Sequence, residues 1–65
     1  MVKNKLKEIR LKNYMMTGRE FSKMFNVSNT TYSNWEQGVS RPTLDKALEV
    51  AKILNMRIDD VWYLD

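Results

Sequence analysis

An all-α domain of five short helices is predicted for this chain, on three observations. Apolar residues recur at helical spacing in separate stretches, most plainly at Leu44, Ala47, Leu48, Ala51 and Leu54. Side chains that start helices, Thr17, Ser28 and Thr43, stand just ahead of such stretches. Residues that tolerate a left-handed backbone, Asn26, Gly38 and Asn55, stand where the helices should stop. At 65 residues the chain is one domain, 1–65, near the lower limit of what folds without staples. Its 43% apolar content, with two Trp, three Tyr and two Phe, suffices for one modest core.

The first helix is expected from Lys3 or Asn4 to about Tyr14. Leu6, Ile9 and Asn13 share one stripe, with Arg10 at its edge, while Lys3, Lys7 and Lys12 point away. A basic amphipathic helix can also lie on a membrane surface, but this apolar stripe is thin, and packing against the domain is the better reading. Of Met15 and Met16, at least one should reach the core, where a flexible thioether fills gaps. Thr17-Gly18-Arg19-Glu20 is a capping box, so the second helix starts at Gly18. Phe21, Met24 and Phe25 form its buried face, and Ser22 is small where another helix must come close. That helix ends near Phe25, and Asn26 makes the turn. Ser28 caps a third helix, Tyr32 and Trp35 share its buried face, and Gly38 closes it. After Ser40-Arg41-Pro42, Thr43 caps a fourth helix. Its leucine and alanine stripe should be the main wall of the core, with Lys46, Glu49 and Lys52 in water and Asn55 as its stop. Ile58 to Trp62 reads as a short fifth helix, with Asp59 and Asp60 in the first turn, where the dipole favours carboxylates.

The outer side of the third helix carries Asn29, Thr30, Ser33 and Asn34. All are polar, short and uncharged, a set suited to hydrogen bonds with base edges. The charge is lopsided. Residues 1–41 hold eight Lys/Arg against three Asp/Glu, and residues 42–65 hold three against five, which together give the net +3. A basic front and an acidic back suit a protein that turns one side to a polyanion. The chain has no Cys and no His, so disulfides, thiolate sites, imidazole ligands and the commonest general base are all excluded. No nucleophile–base set, Gly-rich phosphate loop or metal cluster is visible. Asp59 and Asp60 diverge on one turn and lack a third oxygen-rich partner, so they are not a metal pair. No catalytic residue, cofactor, metal or small-molecule ligand is therefore expected. Without a signal peptide or an apolar run of membrane-spanning length, the expected location is cytoplasmic.

A more specific expectation comes from Thr17 to Gly38 and the Ser40-Arg41-Pro42 that follows. This stretch resembles the Cro/CI (XRE) helix-turn-helix family of phage and bacterial repressors. The resemblance rests on a small residue at Ser22, on Val27 and Ser28, on an aromatic at Trp35, and on Glu36 and Gly38. The chain departs from the family pattern at Asn26, where Gly is usual, and at Tyr32, where Ile or Val is usual. It departs again at Gly18, where members often carry a Gln that bonds a phosphate and braces a base-reading side chain. The link around Tyr14-Met15-Met16 is one residue longer than usual.

The resemblance spans nearly the whole chain. It implies a compact lambda-repressor-like domain with its helix-turn-helix at about 17–38 and double-stranded DNA as partner. By that likeness Asn29, Thr30 and Asn34, and with them Ser33, reach bases in the major groove. Thr17, Arg19, Lys23, Ser40 and Arg41 contact phosphates. Arg10 and Glu36 form a structural ion pair tying the first helix to the end of the third. No Arg or Lys lies on the base-reading face, so A·T pairs are expected there. Members usually dimerise on pseudo-palindromic operators. The corresponding surface, within 55–65, would be Met56, Arg57, Ile58, Trp62, Tyr63 and Leu64, although Ile58, Val61 and Trp62 could equally finish the monomer's core. The expected function is a small Cro-like repressor. The competing class is a protein-interaction module, such as an antitoxin, that works mainly through its C-terminal aromatics.

Overall fold

Phe21 lies fully buried at the centre of the core. Its ring centroid is 4.9 Å from that of Phe25, 5.6 Å from Tyr32 and 5.3 Å from Tyr14, in edge-on or tilted geometry. Such aromatic pairs add about 0.5–1.5 kcal/mol each beyond the area they bury. The computed structural model describes residues 1–65. In chain order it runs β1 (Val2–Asn4), α1 (Leu6–Ile9), a π-helical turn (Arg10–Tyr14), α2 (Gly18–Met24), α3 (Asn29–Gln37), α4 (Leu44–Ile53), α5 (Ile58–Val61) and β2 (Trp62–Leu64). Leu6, Ile9, Phe21, Phe25, Tyr32, Trp35, Val50, Leu54 and Val61 form one core cluster. The domain is all-α apart from a two-stranded ribbon, and no helix is long and apolar enough to cross a membrane.

The predicted starts and stops hold for α2, α3 and α4. Thr17, Ser28 and Thr43 each accept a first-turn amide with their side chains. Asn26 and Asn55 take φ of 57°, and Gly38 takes 78°. These left-handed residues turn the chain sharply without breaking the backbone's hydrogen bonding. Met16 packs against the core and Met15 stays in water.

Four expectations are corrected. The first helix begins at Leu6, not at Lys3 or Asn4, because residues 2–4 pair antiparallel with 62–64 in the register Val2↔Leu64, Lys3↔Tyr63, Asn4↔Trp62. The same pairing ends the fifth helix before Trp62. The helix that follows β1 then widens into a π turn. The Met15 N–H bonds the Arg10 carbonyl, and Met15 takes φ of 53°. A π turn holds one residue more than an α turn. It absorbs the extra residue of the link and brings Tyr14, rather than Asn13, onto the core.

The fourth correction concerns α4. Its buried stripe is Ala47, Val50, Ala51 and Leu54. Val50 is 0% exposed, whereas Leu44 and Leu48 are 69% and 49% exposed. The apolar arc of this helix is wide, and the alanine row at 47 and 51 forms its middle. Periodicity alone cannot choose which flank turns inward.

Candidate nucleic-acid interface

α2 and α3 form a rigid pair. Phe21 of α2 and Phe25, the residue that follows that helix, meet Tyr32 of α3, and the Val27 N–H returns to the Ser22 carbonyl across the turn. Ser22, buried between them, donates its hydroxyl to the Arg19 carbonyl and leaves no polar atom stranded. α3 is pinned on its inner side by Tyr32 and Trp35, so its outer side is presented in a fixed orientation.

A second restraint acts at the far end of α3. The Arg10 guanidinium meets the Glu36 carboxylate with two bonds, Nε to Oε2 at 3.1 Å and Nη2 to Oε1 at 3.0 Å. Its Nη1 donates to the Met16 carbonyl at 2.9 Å, and the Tyr32 hydroxyl donates to the same carboxylate. The Arg10 and Glu36 side chains are only 13% and 15% exposed, which separates this pair from surface ion pairs. Burial alone would raise the Glu36 pKa. The bonds from Arg10 and Tyr32, with the charge on Arg10, outweigh it and hold the carboxyl below its ordinary value. The bond to Glu36 raises Arg10, while burial followed by the bond to Glu36 raises Tyr32. The three side chains therefore stay as cation, anion and neutral phenol across the physiological range.

On the outer side, Asn29 and Thr30 are exposed, and Ser33 and Asn34 are half-buried. The Asn34 carbonyl accepts the Val39 N–H at 2.9 Å and the Ser40 N–H at 3.3 Å, which folds the following loop back onto α3. Ser40 and Arg41 are exposed on that loop. The five ion pairs use Lys3, Arg10, Lys12, Lys46 and Arg57. Arg19, Lys23 and Arg41 are thus free of carboxylate partners, as a phosphate contact requires. Thr17 is differently placed, because its N–H donates to Glu20 Oε1 and its Oγ1 accepts the Glu20 N–H. Bonding to Thr17 holds the Glu20 carboxyl below its ordinary value. Only the Thr17 hydroxyl hydrogen remains for another acceptor, beside a carboxylate. At Gly18 an added Cβ would sit 3.8 Å from the Tyr32 ring and 3.9 Å from Asn29 Oδ1. These are ordinary contacts, so a side chain at 18 would lie directly beside a base-reading candidate.

At the other end of the molecule, Ile58 and Trp62 are half-buried, and Leu64 is 80% exposed. With Val2, Pro42, Leu44 and Ala47 they line two adjoining apolar hollows, and Arg41 stands at the rim. Tyr63 also faces the other side of the ribbon, 5.7 Å below Lys5 Nζ. Met56 and Arg57 border a separate, more polar recess with Leu48 and Lys52. Asp59 pairs with Arg57 at 3.4 Å, and Asp60 accepts the Arg57 N–H at 3.1 Å.

Sequence reasoning missed two residues. Asn4 donates its amide to the Trp35 carbonyl at 2.9 Å and accepts the Leu6 N–H at 3.1 Å, joining β1, α1 and the end of α3. Its signal was an Asn two residues ahead of an apolar helix start. Gln37 lies four residues beyond Ser33 on the same exposed side, and helical spacing alone could have found it.

Comparison with known proteins places this geometry in context. Residues 6–61 match the helix-turn-helix family. An uncharacterized HTH-type transcriptional regulator of Archaeoglobus fulgidus is 33% identical over 64 residues, covering 98% of this chain and 90% of that protein. A second regulator of that description, from the same organism, is 31% identical over 98% of this chain and 89% of its own length. The fold is similar to the crystal structure of a Bacteroides fragilis protein assigned as DNA-binding. Its TM-score is 0.79 at 28% identity, over 97% of this chain and 100% of that one.

Proposed function

Because the chain belongs to the helix-turn-helix family, we propose that it is a DNA-binding transcriptional regulator, a small Cro-like repressor that reads a pseudo-palindromic operator as a dimer. The observation that carries this reading is the division of α3 into a locked inner side and an uncharged polar outer side with Asn29 and Thr30 in the open. An Asn amide can meet adenine with two bonds, and a Thr methyl can touch the thymine methyl, so A·T pairs are favoured at these positions. Ser33 and Asn34 continue the reading edge. Arg19, Lys23, Ser40 and Arg41 set the position on phosphates, with Thr17 adding one hydroxyl.

The domain measures 26 × 22 × 20 Å, less than the roughly 34 Å of one DNA turn, so one copy covers one half-site. The apolar face of Ile58, Trp62 and Leu64 is where a second copy would join, enlarged by Val2 and Leu44 with Tyr63 beside it, while Met56 and Arg57 border a separate recess. Occupying a promoter this way would exclude RNA polymerase in the cytoplasm, with no cofactor or small ligand. The same apolar face is the feature that favours the competing reading, an antitoxin-like module acting through a protein partner. Gel shifts against the DNA flanking its own gene separate the two, since only the repressor retards a particular fragment.

Two substitutions test the division of labour. Asn29→Ala is expected to weaken the selected site by about 1–3 kcal/mol and relax one base position. Arg41→Ala is expected to weaken every sequence alike and lower the salt slope by about one. Titrations of specific and random duplex at several salt concentrations read both effects. Equal losses on both duplexes for both variants would contradict the proposal.

A further inference from the structure

We infer that Gln37 is a positioning residue for base reading, holding the Ser33 hydroxyl so that its hydrogen points out toward an acceptor on a base. The inference rests on the reading of α3 as the groove-entering helix. A serine inside a helix ordinarily turns its hydroxyl back to the carbonyl four residues earlier. Ser33 makes no such bond to Asn29. Its Oγ instead accepts a hydrogen from Gln37 Nε2 at 2.9 Å, its one partner in the structure. A hydroxyl has one hydrogen and two lone pairs. Gln37 fills a lone pair and leaves the hydrogen free. Accepting a bond also polarises the O–H and makes it a better donor. Gln37 is exposed at the last turn of α3, so this arrangement stands on the surface that would face DNA.

Among the base-reading candidates Asn29, Thr30, Ser33 and Asn34, only Ser33 is held this way; the other α3 hydroxyl that accepts a side-chain bond, Thr31 from Ser28 at 2.9 Å, lies outside that set. Asn29, Thr30 and Asn34 make no side-chain hydrogen bond within the protein, so their orientations are set only on contact. Ser33 alone is aimed beforehand. Acceptors in the major groove that such a donor can meet are purine N7, guanine O6 and thymine O4. Cytosine offers a donor there instead and would be rejected at the Ser33 position.

The test is selection of bound duplexes from a random-sequence pool by the full chain, as wild type, Ser33→Ala, Gln37→Met and the double variant. Gln37→Met keeps length and helix propensity and removes the donor. Both single variants should lose preference at the same base position. Each should bind the wild-type consensus roughly tenfold more weakly, as befits a contact near the lower end of the range for base readout. The double variant should lose no more than either single one, because all three lack the same bond. Melting temperatures should stay nearly unchanged, since Gln37 is exposed and half-buried Ser33 loses only a hydroxyl.

A Gln37→Met protein that selects the wild-type consensus at every position overturns the inference, as does a double variant whose loss is the product of the singles. A lowered melting temperature with unchanged base preference would make Gln37 merely structural and also overturns it. If the wild-type chain selects no consensus at all, the proposed function itself falls. A wild-type consensus that Gln37→Met retains removes only the inference.

Discussion

Replacing Arg10 with Met is expected to cost about 3–5 kcal/mol of folding stability, the usual penalty for leaving a buried partner charge alone. A domain of 65 residues has only about 3–10 kcal/mol to lose. The variant should therefore be largely unfolded near body temperature and unfold at much lower urea than wild type. The reason lies in what Arg10 touches. It supplies two bonds to Glu36 and one to the Met16 carbonyl, and the Arg10 and Glu36 side chains are mostly shielded, at 13% and 15% exposed. Removing the whole set should recover most of the loss. Arg10→Met with Glu36→Leu and Tyr32→Phe leaves no buried charge and no idle hydroxyl.

The pH dependence separates this cause from simple loss of packing. In the wild type the folded Glu36 carboxyl lies below its ordinary 4.5. Its contribution is fully present above that value and is lost as pH falls through the lower folded one. In Arg10→Met the carboxyl is buried without its cation, so its folded pKa should lie above the ordinary value. Stability should then rise as pH falls from neutral toward 4.5, a range in which the wild-type contribution of Glu36 stays constant. Urea midpoints measured between pH 4 and 7 read the sign directly. A variant that tracks the wild-type curve would mean that Glu36 never depended on Arg10.

The second large effect is expected from Leu44→Asp combined with Leu64→Asp. Both side chains are mostly in water already, so the monomer should keep its melting temperature. If the apolar face joins two copies, sedimentation should show a dimer for the wild type and none once carboxylates are placed on the face. Affinity for a two-half-site operator should fall by about 10²–10⁴, the usual worth of linking two binding modules. Affinity for a single half-site should change little. A full-strength operator complex in this variant would exclude the face from dimer contact.

Local chemistry made much of this fold legible. Thr17, Ser28, Thr43, Asn26, Gly38 and Asn55 each act through atoms within a few residues, and each sits where its side chain or backbone freedom demands. The helix-turn-helix was legible for the same reason. The ribbon was not, because strands of three residues carry little pattern and pair across almost the whole chain. The π turn was visible only as a surplus residue in a link. The facing of α4 was ambiguous because its apolar arc is wider than its buried stripe. On α3, residue types marked Asn29 and Thr30 as exposed in advance, while Ser33 and Asn34 are half-buried. Helical spacing put Gln37 beside Ser33, but the bond between them could not be read, since spacing permits such a contact without requiring it.

The ribbon has a practical corollary. The Asp65 N–H bonds the Met1 carbonyl at 3.0 Å, so the first and last residues of this sequence stand side by side. A peptide of a few residues could join them into a closed ring without moving a helix. Anything fused to either end would emerge from one corner of the molecule.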